Sequence, residues 1–82
     1  MHTFSDNRGL NFRLTSVQLN STGIAYLIRT RADALGGFIT TLKRRNSFGY
    51  ADVELARGST FEQAFKHHDK MLIDLRRSDD DE

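Results

Sequence analysis

Basic residues are concentrated in the first half of the chain. Between positions 8 and 45 there are seven basic residues and a single acid, Asp33, so this segment has a net charge of +6. Residues 46 to 82 hold five basic and nine acidic residues, a net charge of −4. Asp6 adds −1. The total of +1 therefore conceals a dipolar chain, and such asymmetry indicates an anionic partner. The seven basic residues are Arg8, Arg13, Arg29, Arg31, Lys43, Arg44 and Arg45.

Two pairs of these cations have the spacing of side chains that share one face of a β-strand. Arg29 and Arg31 are two positions apart, as are Lys43 and Arg45, and residues two apart on a strand point to the same side. Guanidinium groups make bidentate, charge-assisted hydrogen bonds to phosphate, and a nearby threonine hydroxyl adds a neutral contact. If about four phosphates were neutralised, a fourfold rise in salt concentration would weaken binding on the order of 10²-fold.

One cluster in the sequence has metal-ligand residue types, namely His67, His68 and Asp69. Adjacent imidazoles project about 100° apart on a helix, whereas paired helical ligands are three or four positions apart. We therefore predict no metal site and interpret His68 as a core histidine. The chain also has no phosphate-binding loop, nucleophile elbow or cysteine. These features predict a protein that is not an enzyme and that uses no cofactor and no small-molecule substrate.

Length and composition predict one small domain. A chain of 82 residues, 38% hydrophobic and 28% charged, is in the globular range and buries only about 60% of its unfolded surface. Because there are no cysteines, its stability must come from packing or from self-association. A second copy of the chain, forming a homodimer, is therefore one candidate partner. There is no apolar run of membrane-spanning length and no signal-peptide pattern, so we expect a soluble, cytoplasmic protein with no membrane partner.

The C-terminal part of the sequence has the pattern of an amphipathic helix. Residues 59 to 62 match a capping box with Ser59 as N-cap and Glu62 as its partner. Apolar residues then recur at spacings of three and four, which predicts a helix over about residues 60 to 77 with one buried face. We expect residues 1 to 77 to form a single compact domain and residues 78 to 82 to be a disordered acidic tail. The predicted buried stripe is Phe61, Ala64, Phe65, His68, Met71, Leu72 and Leu75.

Upstream of this helix, apolar and polar residues alternate with the period of β-strands. Residues 10 to 15, 24 to 31 and 38 to 45 predict three strands, with a bulge near Thr15 or Ser16 because Leu14 is out of phase with Val17. Residues 48 to 57 fit a fourth strand or a short helix, and we favour the strand. The predicted fold is α+β: an antiparallel three- to four-stranded β-meander packed on one C-terminal α-helix, ββββα or βββα. The predicted helix-facing side chains are Leu10, Phe12, Leu14, Ile24, Tyr26, Ile28, Phe38 and Leu42.

Alternation then places a second set of side chains on the opposite face of the sheet. That set is Asn11, Arg13, Thr15, Arg29, Arg31, Thr41, Lys43 and Arg45, bordered by Tyr50, Asp52 and Glu54. Lys43, Arg44 and Arg45 should also project at a hairpin end. Phe4, Phe48 and Tyr50 are outside the main apolar phase, and we favour local packing at the sheet edge over a role in stacking or in a protein interface. The candidate binding residues are Arg13, Arg29, Arg31, Lys43, Arg44 and Arg45.

These features predict a small binding module that engages an anionic macromolecule, most simply nucleic acid, through a basic sheet face. Two alternatives stay open, because the net charge of +1 and the pI of 8.2 are below those of typical basic nucleic-acid binders. The face is either a solvated surface that keeps the domain soluble, or the contact of a protein-binding accessory or inhibitor, such as a phage or mobile-element anti-defence protein that blocks a host protein or a nucleoprotein complex. The predicted layout resembles transposon and phage integrase DNA-binding modules and phage-encoded inhibitors, in size and architecture only.

Overall fold

A five-stranded antiparallel sheet is covered on one face by a single C-terminal helix in the computed structural model, which describes residues 1–6 and 12–80. The strands are β1 (His2–Asp6), β2 (Arg13–Gln18), β3 (Ala25–Ala32), β4 (Phe38–Asn46) and β5 (Gly49–Gly58), and the helix is α1 (Phe61–Asp80). The strands lie in the sheet in chain order. The predicted α+β meander with one helix is confirmed, with one strand more than predicted.

The additional strand is β1, whose inward side chains are polar. Ser5 faces the helix side of the sheet, where its hydroxyl lies 3.1 Å from that of Thr15. Strand pairing runs from His2 opposite Gln18 to Asp6 opposite Leu14. Because Thr3 and Ser5 occupy the inward positions, the segment has no apolar alternation, and the hydrophobic pattern gives no sign of this strand.

Residues 49 to 58 form a strand, as we favoured. β5 pairs with β4 from Phe38 opposite Gly58 to Asn46 opposite Gly49, so this ladder outweighs the local helix propensity of the segment. The tight hairpin end is held by the Phe48 amide, which donates to Asn46 Oδ1 at 2.8 Å, and by Gly49, whose φ is 126°. Positive φ at that position favours glycine.

The predicted phase of β2 is wrong. Thr15 and Val17 are buried towards α1, and they pair with Ile28 and Tyr26 of β3 in an uninterrupted register. Leu14 therefore points away from the helix, and no bulge occurs at Thr15 or Ser16. Leu10 and Asn11 lie outside the described residues, and Phe12 precedes the strand.

The sheet irregularity lies instead between β4 and β5. Leu42 pairs with Glu54, whereas the next residue, Lys43, pairs with Asp52, so β5 carries one extra residue, Val53. A bulge of this kind reverses the side-chain phase beyond it. Tyr50 and Asp52 consequently lie on the face predicted for them, and Glu54 does not.

The core lies between α1 and the central strands. The predicted helix stripe is confirmed, because Ala64, His68, Met71 and Leu75 are buried. At the start of the helix the Phe61 ring meets the Phe38 ring at 5.6 Å, edge to face. The main apolar cluster comprises Val17, Leu19, Ile28, Leu42, Met71 and Leu75.

The capping box is displaced by one residue from its predicted position. Thr60 is the N-cap, because its Oγ1 accepts from the Gln63 amide at 3.2 Å. Gln63 Oε1 accepts from the amide of Ser59, one residue before the N-cap, at 2.9 Å, whereas the full capping box uses the N-cap amide. Both Ser59 with Glu62 and Thr60 with Gln63 match the capping-box pattern. The helix beginning at Phe61 selects the second pair.

The helix also ends later than predicted, at Asp80, so residues 78 to 80 are helical rather than part of a disordered tail. The Asp79 carboxylate accepts from the amides of Asn20 at 3.1 Å and Ser21 at 2.8 Å, and it lies 3.2 Å from the Met1 amino group. The Ser21 amide, followed by that of Asn20, holds the pKa of Asp79 well below its usual range. These contacts tie the last turn to the β2–β3 loop. Residues 81 and 82 lie outside the described part of the chain.

A chain of polar side chains crosses the core through His68. Its Nε2 lies 2.8 Å from Thr15 Oγ1, and its Nδ1 lies 2.8 Å from Thr30 Oγ1. Thr30 Oγ1 is 2.8 Å from Thr40 Oγ1, which donates to the Ala64 carbonyl at 3.0 Å. The three residues His68, Thr30 and Thr40 are fully buried, so the interpretation of His68 as a core histidine agrees with its position.

Candidate functional site

The face of the sheet opposite α1 is not covered by any element of the described residues. We call it the open face. Cross-strand pairing places Phe4 of β1, Ser16 of β2, Leu27 of β3, Lys43 of β4 and Asp52 of β5 in one row across it. Strand alternation then assigns the remaining positions. The other residues of the open face are His2, Asp6, Leu14, Gln18, Ala25, Arg29, Arg31, Ile39, Thr41, Arg45, Tyr50, Leu55 and Arg57.

Four of the six predicted binding residues lie on the open face: Arg29, Arg31, Lys43 and Arg45. Their placement follows from the uninterrupted alternation of β3 and β4, in which Arg29 pairs with Thr41 and Lys43 with Leu27. Among the described residues, only Lys43 of the four has a carboxylate within ion-pair distance, that of Asp52 at 3.8 Å. An exposed pair of this length contributes little, so the four cations are available to an anionic partner.

These four cations form a line along the sheet. Arg45 and Lys43 occupy alternate positions on β4, and Arg29 and Arg31 occupy alternate positions on β3. In the order Arg45, Lys43, Arg29, Arg31, each cation lies one row of open-face pairs further along the sheet. Two strand residues advance about 6.8 Å, and neighbouring strands are about 4.8 Å apart. Successive side chains are therefore attached roughly 7 to 8 Å apart along a diagonal path. We call this series the cation line.

A fifth cation, Arg57, was not among the predicted binding residues. It pairs across the sheet with Ile39 and forms an ion pair with Asp33 of the β3–β4 loop. The Leu35 amide, with further contributions from Arg57 and Arg31, holds the pKa of Asp33 below its usual value. Asp33 therefore stays ionised and partly offsets the positive charge at this end of the cation line.

Arg13 lies on the other side of the sheet, against the helix, contrary to its predicted position. Its Nη1 donates to Asp69 Oδ1 at 2.7 Å, its guanidinium stands 4.2 Å from the centre of the Phe65 ring, and its side chain is 14% exposed. The cause is the phase of β2, since Arg13 shares the helix-facing side with Thr15 and Val17. Arg13 therefore anchors the helix.

Arg44 is exposed but also points away from the open face. It pairs with Tyr26 and Ala51 near the end of the β4–β5 hairpin, where the side chains on both faces are exposed. The predicted basic projection therefore exists at this hairpin, and its cations point alternately to the two faces, with Arg44 on one and Lys43 and Arg45 on the other.

The different roles of Arg13 and Arg31 predict opposite phenotypes. Arg13→Gln should lower the free energy of unfolding by about 1 kcal/mol, since a partly buried ion pair and a cation–π contact are lost, and should leave anion binding unchanged. Arg31→Gln, its matched control, should weaken binding and leave stability unchanged. Urea denaturation and oligonucleotide titrations of both variants measure the two effects. Equal losses of binding would place Arg13 in the interface after all.

Exposed aromatic residues accompany the cations, and the expectation that they pack locally is wrong. Phe4 is 72% exposed, Tyr50 is 50% exposed, and Phe48 at the hairpin tip is fully exposed. Phe4 and Tyr50 also line a shallow groove of about 270 Å³, and Ser16, Gln18 and Ala25 of the open face lie between them in the sheet. We call this depression the aromatic groove. Sequence reasoning did not find it because it missed β1, which carries Phe4.

A buried hydroxyl without a partner lies at the centre of the open face. Thr41 is 8% exposed, and its Oγ1 has no hydrogen-bond partner among the described residues. Its cross-strand neighbours are Arg29 and Leu55. An unsatisfied buried hydroxyl costs about 1 to 3 kcal/mol, and because this oxygen is not accessible to solvent, a ligand on the open face does not reach it.

The described residues, 1–6 and 12–80, provide neither a metal site nor a membrane-spanning helix. Within these ranges, no group of three or more histidine or acidic side chains is placed to hold a metal ion. The helix in the described part of the chain is not both long and apolar enough to cross a membrane. Comparisons of the chain with family models, with curated proteins and with solved structures found no match, so the open face itself is the basis for inferring function.

Proposed function

We propose that this protein is a non-enzymatic binding module that engages nucleic acid through the open face of its sheet. The observation that carries the proposal is the cation line, which places Arg45, Lys43, Arg29 and Arg31 in succession on a surface that no other element covers. Side chains that contact phosphates supply most of the affinity of such modules. A line of cations fits the regular charges of a phosphate backbone better than it fits a single small anion.

The surroundings of the cation line support the same partner. The aromatic groove adjoins one end of the line, because Tyr50 pairs with Arg45. Phosphate-binding cations beside exposed rings are the combination with which proteins bind backbone and bases together.

A second candidate function is the binding of a protein with an acidic surface, as an accessory or inhibitor. The observation that favours it is the exposed aliphatic patch of β5, where Val53 and Leu55 are 54% and 55% exposed. Exposed aliphatic groups beside cations suit a mixed protein interface. A nucleic-acid backbone would leave these two side chains without a complementary contact.

Salt dependence tests the proposed function directly. With four phosphates contacted, a fourfold rise in salt concentration should weaken binding to duplex DNA on the order of 10²-fold, and somewhat less for a single strand. Fluorescence anisotropy with labelled duplex and single-stranded oligonucleotides measures this slope. Absence of binding to either probe at low salt would overturn the proposal. Capture of partners from a lysate that survives nuclease treatment would then favour the protein-binding alternative.

A further inference from the structure

Resting on the proposed function, we infer that the ligand of the open face is a single-stranded nucleic acid, whose backbone follows the cation line and whose unstacked bases lie on Phe4 and Tyr50 in the aromatic groove. The open face then has two separate roles in binding. Cations hold the phosphates without regard to base sequence, and the two rings supply the base contacts. Single strands of DNA and RNA share this chemistry.

The exposure of the two aromatic side chains favours a single strand over a duplex. A duplex presents phosphates and base edges, while the faces of its bases are stacked on one another. Phe4 and Tyr50 remain 72% and 50% exposed although they line a groove. Rings placed in this way gain contact area from a splayed base, which every nucleotide of a single strand can offer.

The dimensions of the groove suit more than one nucleotide. β1 and β5, which carry Phe4 and Tyr50, are four strand spacings apart, at most about 19 Å, so each ring serves a different base. On β2 and β3 the side chains between the two rings are Ser16, Gln18 and Ala25, and on β4 Arg45 lies next to Tyr50. Gln18 and Ser16 provide hydrogen-bonding groups for base edges.

Charge excludes a second copy of this chain as the occupant. Packing two open faces together would oppose the cation lines of both copies, while the acids assigned to that face, Asp6 and Asp52, are fewer than its five cations. Like charges brought together across an interface are strongly unfavourable. An anionic strand gives the complementary pairing instead.

Aromatic substitutions test the inference with oligonucleotides of one length, as single strands of deoxythymidine and of uridine and as a duplex. We expect either single strand to bind wild-type protein about tenfold more tightly than the duplex. Phe4→Leu and Tyr50→Leu should each weaken single-strand binding about tenfold, the usual loss for one stacked base, and leave duplex binding unchanged. Phe48→Leu, an exposed ring outside the groove, is the matched control and should change neither.

A spectroscopic variant reports stacking itself. The chain contains no tryptophan, so Tyr50→Trp introduces a single indole into the groove, and its emission should be quenched on addition of the deoxythymidine strand. Equal affinity for duplex and single strand, with no effect of Phe4→Leu or Tyr50→Leu, would overturn the single-strand inference and leave the proposed function intact. Failure of all probes to bind at low salt would overturn both. Circular dichroism confirms that each variant is folded.

Discussion

Arg29→Glu/Arg31→Glu is expected to weaken nucleic-acid binding on the order of 10³-fold at low salt. The two substitutions remove half of the cation line and place two carboxylates beside the phosphates. Each hydrogen bond to a charged group contributes about 1.5 to 3 kcal/mol, and each lost phosphate contact lowers the salt slope by about 1. The slope should therefore fall by about two together with the affinity. Anisotropy titrations at several salt concentrations measure both quantities.

The matched control is Arg76→Glu/Arg77→Glu, which makes the same change in net charge on exposed helix residues away from the open face. Long-range attraction is screened over about 8 to 10 Å in ordinary buffers, so this control should reduce affinity only slightly. If both double variants bind equally weakly, the general charge of the protein governs binding, and the cation line has no specific role. Unfolding transitions of the two variants show whether either has lost its fold.

Strand periodicity predicted that Arg29, Arg31, Lys43 and Arg45 share one face, because β3 and β4 satisfy the simplest form of the rule. In both central strands large apolar residues, such as Ile28 and Leu42, occupy helix-facing positions and cations alternate with them. A half-buried strand with this composition has only one favourable phase. The four open-face cations therefore followed from the sequence without tertiary information.

The same rule failed in β2, where a polar residue is buried. Thr15 lies in the core because His68 bonds its hydroxyl, and His68 is 53 positions away in the sequence. Periodicity classes threonine as outward-facing, and so assigned Leu14 to the core and Arg13 to solvent. Burial of a hydroxyl is favourable only when it has a hydrogen-bond partner. The partner of Thr15 is His68, and only the folded structure brings the two together.

Phe4 and the aromatic groove could not be predicted for a related reason. β1 is an edge strand held by backbone pairing with β2 and by the Ser5–Thr15 contact. Neither interaction requires apolar residues at alternate positions, so the sequence of β1 shows no hydrophobic periodicity. Alternation did place Tyr50 on the open face, but its exposure was not expected. The pairing of β1 with β2 creates the groove, so single-sequence patterns locate the cations more readily than the groove.

The hydrogen bonds that link His68 to the buried threonines determine the tautomer of its imidazole. Thr40 donates its only hydroxyl proton to the Ala64 carbonyl, so it accepts from Thr30, and Thr30 accepts from His68 Nδ1. The neutral ring then accepts at Nε2 from Thr15. Burial, followed by the positive charge of Arg13, lowers the pKa of His68 from 6.5 to about 4, although Asp69 acts in the opposite direction. The folded protein therefore holds this ring neutral at pH values where the unfolded chain protonates it.

We expect this difference to make the protein less stable as the pH falls from 6.5 to about 4. In that window the unfolded state binds more protons, so the free energy of unfolding decreases, by about 2 to 3 kcal/mol over the whole interval. His68→Leu should remove this dependence and lower stability at pH 7 by about 2 to 4 kcal/mol, since Thr15 and Thr30 each lose a buried partner. Urea denaturation at pH 7, 5 and 4 measures both effects. Val17→Ala, a core truncation outside the hydrogen-bonded chain, should reduce stability and keep the wild-type pH dependence. A wild-type profile that is flat between pH 6.5 and 4 would show that the folded core accepts the imidazolium.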